Sequence, residues 1–187
     1  MAGYMVYWPQ DRVQELKRAK DNGPIKVVFG SIHARMPAIT SVKVGDIVFP
    51  VALLKKKFCV MARLLVEHRE PAYDYLVREL GNSCSALVPE GVDWKLYYDR
   101  PLLPHLAHQE PFNCCSKWAV WGGKGSAITP RELPDEVLPD LRFGYPKSKE
   151  KGLRFDEKGN VMTNCLTVTR RLSEETLGIF EALFEEG

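Results

Sequence analysis

The sequence predicts an α+β protein: a small, strongly bent, mostly antiparallel β-sheet or barrel with flanking helices. Three observations predict it. About five or six short runs are β-branched or alternate apolar with polar, against about three or four short helical stretches. The two kinds do not alternate regularly along the chain, which argues against a doubly wound parallel sheet. The 187 residues are 45% hydrophobic and 27% charged, the balance of an ordinary globular protein. One domain over residues 1–187 is expected, with an insert at about 82–116 where prolines 89, 101, 104 and 111 interrupt the pattern.

The elements follow in order. Asp11 to Ala19 reads as a helix capped by Asp11, with Val13 and Leu16 on one face and Asn22-Gly23 as its stop. Ile25 to Phe29 is a compact buried strand. Val42-Lys43-Val44-Gly45-Asp46 turns into the apolar run Ile47–Val51, because Gly accepts positive φ and Asp can bond the following backbone. Phe58 to Glu67 has the clearest period of two, with Phe58, Val60, Ala62, Leu64 and Val66 facing a core. Lys55-Lys56-Lys57 forms the hairpin tip before it.

Pro71 opens a helix to Leu80 whose stripe is Tyr73, Leu76, Val77 and Leu80. Lys117 to Trp121 is a strand. Thr129-Pro130-Arg131-Glu132 has capping-box spacing and predicts a short helix. Lys147 to Lys151 is a solvated loop, and Val161 to Thr169 is β-rich. Ser173 caps a last helix to about Glu185, buried through Leu177, Phe180, Leu183 and Phe184.

Composition bounds function. Lys and Arg number 26 against 24 Asp and Glu, a net charge of +2, so no bulk field draws nucleic acid, although a local basic patch remains open. No secretory signal is expected from the first ten residues, and the apolar runs are too short for a membrane span. Five scattered cysteines, at 59, 84, 114, 115 and 165, fit reduced thiols and a cytoplasmic protein better than a disulfide framework.

The segment Val42-Lys43-Val44-Gly45-Asp46-Ile47-Val48-Phe49, followed by Val60-Met61-Ala62-Arg63-Leu64-Leu65-Val66, resembles the core of the PUA-like superfamily, in particular its ASCH and EVE branches. The ending is similar too, with Leu166-Thr167-Val168 leading into Leu172-Ser173-Glu174-Glu175 and a closing helix. The resemblance implies a small barrel that holds a nucleobase, a nucleotide, RNA or a modified base in DNA between its strands. The catalytic Lys-Thr-Glu pattern of the amidohydrolase members has no match here, so binding without catalysis is expected.

The residues suggest where. Gly30-Ser31-Ile32-His33-Ala34-Arg35 follows a strand, and Ser31, His33 and Arg35 can donate hydrogen bonds to a ligand. Trp118 and Trp121 lie three apart in a strand and point to opposite faces; one can stack on a base while the other packs. Glycines 122, 123 and 125 would admit a ligand backbone. Lys55, Lys56 and Lys57 with Arg170 and Arg171 can contact phosphates if they converge, or simply keep strand ends soluble. His105, His108, Cys114 and Cys115 form no zinc knuckle, and neither metal nor cofactor is expected. Two alternatives stay open: an enzyme acting on a nucleoside-like molecule, with Cys114 or Cys115 beside His105 or His108, and a protein-interaction module built on the insert.

Overall fold

The computed structural model describes residues 1–31, 39–80, 107–109 and 116–185. Its first strand, β1 (Gly3–Tyr7), is buried along its whole length. That burial requires cover on both faces, and the architecture is the set of layers that provides it.

β1 pairs in parallel with β3 (Ile47–Leu54) and antiparallel with β9 (Arg170–Arg171). β3 turns back into β4 (Lys57–Val60), and β4 pairs with β8 (Arg131–Glu132). β5 (Leu64–Leu65) returns to β3 and completes this sheet. A second sheet is antiparallel, in the order β2 (Val27–Ser31), β7 (Ser116–Trp121), β6 (His68–Pro71). The helices are α1 (Gln10–Arg18), α2 (Ala72–Leu80) and α3 (Glu174–Ala182).

Alternation along the strands sorts the side chains. Met5, Ile47, Phe49 and Val51 face α3, where the Phe180 ring meets Phe49 edge-on at 5.4 Å. Val6, Val48 and Ala52 face the other way, into a core shared with Val13 and Leu16 of α1 and with Val28 and Val120 of the second sheet. The outer face of that second sheet, Val27, Phe29 and Ala119, packs on Tyr75 and Leu76 of α2. The chain is therefore α+β, with two stacked, mostly antiparallel sheets and flanking helices.

Several expected elements differ. The run Phe58–Glu67 is not one strand. Val51 lies opposite Val60 but Val48 lies opposite Leu64, so the register slips by one residue. The slip falls across from Pro50, which has no N–H to give the ladder; Met61 N donates to the Pro50 carbonyl instead, at 2.8 Å. One extra residue reverses the facing. Phe58 and Val60 accordingly join the α3 side, while Ala62, Leu64 and Val66 join the inter-sheet core.

The first helix starts one residue before Asp11, which makes no cap bond, and the strand placed at 25–29 runs from Val27 to Ser31. Tyr73 is exposed, and Ala72 and Tyr75 take its place in the α2 stripe. Thr129–Glu132 is extended rather than helical, because Thr129 N bonds the Met61 carbonyl and β4 captures Arg131 and Glu132. Residues 161–169 fold inward as a 3-10 turn, Thr163–Cys165, that buries Cys165 and Leu166; the Arg170 Nε donates to the Cys165 carbonyl at 2.6 Å and holds the bend. Ser173 caps α3 as expected, accepting from Thr176 N at 3.1 Å.

Candidate functional site

The β3–β4 hairpin closes through Lys55 and Lys56, both in the left-handed region at φ 50° and 70°. Such a two-residue turn matches strand twist, and Asn-Gly is the pair that adopts it at least cost. Here two exposed lysines occupy it. Beneath the tip, α1 crosses and leaves a groove of about 420 Å³. Gln10, Gln14 and Lys17 line its helical side, one turn apart on one face of α1. Val13, Leu54 and Cys59 form the floor, and Pro130 an open wall.

Charge in the groove is uneven. Lys57 pairs with Asp135 at 2.7 Å and Glu132 at 3.5 Å, so its ammonium is already committed, and with two carboxylates to one ammonium that wall is net acidic. Lys17 and Lys55 have no carboxylate partner among the described residues. Burial, and after it the nearby Glu132, raises the Cys59 thiol above its ordinary range. Cys59 stays protonated at neutral pH and behaves as a small apolar group rather than a nucleophile.

The tryptophans do point to opposite faces. Trp121 lies on the α2 side. His68 stacks on it at 3.9 Å, the Arg78 guanidinium sits 4.4 Å from its centre, and its Nε1 donates to Glu70 Oε1 at 2.5 Å. Arg78 is in turn held by both oxygens of Glu70, at 2.7 and 2.8 Å. Trp121 thus spends its ring and its N–H within its own fold. Trp118 lies on the inter-sheet side, with the Arg69 guanidinium 4.3 Å from its centre. The Arg69 Nε is buried and has no hydrogen-bond partner among the described residues. Ser31 ends β2 opposite Ser116; His33 and Arg35 lie outside the described residues, as do His105, Cys114 and Cys115.

Arg170 and Arg171 do not join the hairpin lysines. Arg170 pairs through Met5 with the level of Phe49 in β3, six residues short of the tip. That is about 20 Å along the strand direction at roughly 3.3 Å per residue. The Arg171 guanidinium lies 4.0 Å over the Tyr145 ring. The two basic clusters are separate surfaces.

His108 is structural. Its Nδ1 lies 2.6 Å from Asp21 Oδ2, and its Nε2 accepts from Lys26 N at 3.1 Å, which places the proton on Nδ1. Both ring nitrogens are used, leaving neither for a metal or for a thiol proton. Burial alone would raise the Asp21 carboxyl, but the bonds from the His108 ring, the His108 N–H and the Gly23 N–H outweigh it and bring it to about 2. Among the described residues no cluster of three His, Cys, Asp or Glu is placed to hold a metal.

The glycines after Trp121 admit a backbone, but the protein's own. A Cβ at Gly125 would strike the Ile25 carbonyl, and one at Gly122 the Leu65 carbonyl. The Gly-Asp motif is likewise spent locally. Gly45 sits at φ 88°, and Asp46 accepts from Lys43 N at 3.0 Å and from Ala2 N at 2.9 Å, tying β1 to β3.

The sequence reading missed Gln10, Gln14 and Lys17. Their signal was helical spacing on the face of α1 beside its buried stripe. It also missed His68, Glu70 and Arg78, which needed the pairing of β6 with β7 to be seen as partners of Trp121. No model of a known protein family matches the chain, and no curated protein matches it. Among the described residues no helix is long and apolar enough to cross a membrane.

Proposed function

We propose that this protein binds nucleic acid, RNA or a strand carrying a modified base, without catalysing a reaction, on a PUA-like barrel. Support for the barrel is the way the two stacked sheets connect. Leu64 of β5 bridges to Gly125 just after β7, Glu67 N bonds the Trp121 carbonyl, and Ser126 N bonds the Arg63 carbonyl. The sheets therefore run into each other along one side.

One observation carries the binding reading: the Lys55-Lys56 tip. A left-handed L-residue costs about 1–2 kcal/mol, and a strained backbone that persists at an exposed point is grounds for a functional reading. The strain holds two ammonium groups on a stiff turn above a groove whose facing helix ends in Lys17 and Arg18. Phosphates are the ligands such an array suits, each contact releasing counterions. Trp118 and Arg69, beside the end of β2, offer a second surface where an unstacked base can meet a ring and a guanidinium.

The test is fluorescence anisotropy of labelled single-stranded RNA and DNA across a salt series, with the Lys55→Asn/Lys56→Gly double variant. Wild type should bind at about 50 mM salt, and the variant should lose about two phosphate contacts from its salt slope. Its fold should hold, since Asn-Gly suits the turn better. No binding by wild type, or an unchanged slope in the variant, overturns the proposal.

A further inference from the structure

We infer that the groove between α1 and the β3–β4 hairpin selects guanine, with the Glu132 carboxylate on the Watson–Crick edge of the base and the phosphate turned toward Lys17 and Lys55. This rests on the binding reading above and names the base that the site takes.

Strand register places the carboxylate. Cys59 lies opposite Ala52 on one side and Glu132 on the other, and Lys57 lies opposite Leu54. Residues directly opposite, or two apart along a strand, share a face of the sheet. Leu54, Lys57, Cys59 and Glu132 therefore line one side of the groove, with Gln10, Val13, Gln14 and Lys17 of α1 on the other.

Lys57 does not cancel Glu132. Its ammonium hydrogen-bonds Asp135 at 2.7 Å and stands 3.5 Å from Glu132, too far for a strong N–H···O bond. Two carboxylates share one ammonium, and Glu132 is the less committed. Its charge reaches the floor as well, where it adds to burial in raising the Cys59 thiol.

An ionised carboxylate only accepts, through two oxygens side by side. Among the four RNA bases guanine alone sets two donors side by side on its Watson–Crick edge, N1–H and N2–H. Adenine and cytosine place an acceptor next to the amino donor, and uracil has one N–H between two carbonyls. Gln10 and Gln14 can donate or accept, so they serve any base and do not choose. The same charge orients the ligand. A phosphate is repelled from the β8 wall and drawn to Lys17 and Lys55, which have no carboxylate partner among the described residues. A volume of about 420 Å³ admits one nucleotide.

A free nucleotide and one residue of a single strand share this chemistry. Calorimetry with GMP, IMP and AMP, and with oligo(U) carrying or lacking one central guanosine, separates them. IMP keeps the guanine ring system and N1–H but lacks the N2 amino group. The Glu132 side chain is 55% exposed, so its bidentate pair belongs at the low end for such contacts, roughly tenfold. GMP should bind wild type roughly tenfold tighter than IMP or AMP, and the central guanosine should add a similar factor to oligo(U). Glu132→Gln keeps the shape of the side chain and should abolish both preferences, with thermal melts confirming that the variant folds. GMP binding as tightly as the guanosine strand identifies the free nucleotide; tighter binding of the strand identifies one of its residues. IMP binding as well as GMP, a result that needs no variant, overturns the assignment, as does a guanine preference that survives Glu132→Gln. If oligonucleotides bind whatever their bases and respond only to Lys55→Asn/Lys56→Gly, the nucleic-acid reading stands and the guanine assignment falls. If nothing binds wild type, both fall.

Discussion

Asp21→Asn removes one charge from a buried junction, and its cost can be worked from the geometry. Asp21 accepts three N–H bonds: Gly23 N at 2.9 Å, His108 N at 2.8 Å and His108 Nδ1 at 2.6 Å. Asparagine keeps one acceptor oxygen. In its best orientation that oxygen serves His108, while Gly23 N–H turns to solvent. Two charge-assisted bonds become neutral ones, each weaker by about 1 kcal/mol. Linkage gives a similar figure. A carboxyl held at about 2 rather than 3.8 is worth roughly 2 kcal/mol of stability. Because the folded value is the lower one, that contribution is complete well above pH 3.8 and fades as pH falls through about 2. Urea unfolding followed by tryptophan fluorescence should place the variant about 2 kcal/mol below wild type at neutral pH. The gap should shrink to roughly half near pH 3. A gap under about 0.5 kcal/mol at neutral pH, or one independent of pH, refutes the view that this carboxylate ties the turn at 107–109 to the loop before β2.

Three further outcomes are expected. Lys55→Asn/Lys56→Gly should raise the melting temperature by about 2–4 °C, since relieving two left-handed lysines gains about 1 kcal/mol after the unfolded-state entropy of glycine is counted. Gly125→Ala should cost about 2–3 kcal/mol in urea unfolding, because the new methyl meets the Ile25 carbonyl and only a backbone shift relieves it. Ser173→Ala should cost about 1 kcal/mol by the same assay, through loss of the α3 cap bond to Thr176 N; Ser173→Asp should recover most of it.

Local signals were legible in the sequence where the physics is local. The cap at Ser173, the positive φ of Gly45 and the opposed tryptophans each depend on a few neighbouring residues, whereas Asp46, expected to bond the backbone after it, accepts from Lys43 N before it and from Ala2 N of the distant first strand. The errors came where a distant strand decided the outcome. Thr129–Glu132 carries a helical start signal, yet β4 offers it a ladder and wins. Phe58–Glu67 reads as one strand because nothing within it announces the slip; the cause is Pro50 on the facing strand. Gln10, Gln14 and Lys17 became a site only once α1 lay across the hairpin, a placement that helical periodicity does not encode.

The residues that carry the family resemblance bear on what it can establish. Gly45 is consumed by its own φ, Asp46 by the amides of Ala2 and Lys43, and Val48 and Phe49 by the two cores. Met61 and Ala62 sit at the slip that passes the chain from one core to the other. Each position answers a demand of folding, and none of these side chains lines the groove. A motif of that kind can specify an architecture while leaving its ligand free. The discriminating residues must then be sought among those the fold does not require. Lys55 and Lys56 are the clearest case, because the turn they occupy would be more stable without them.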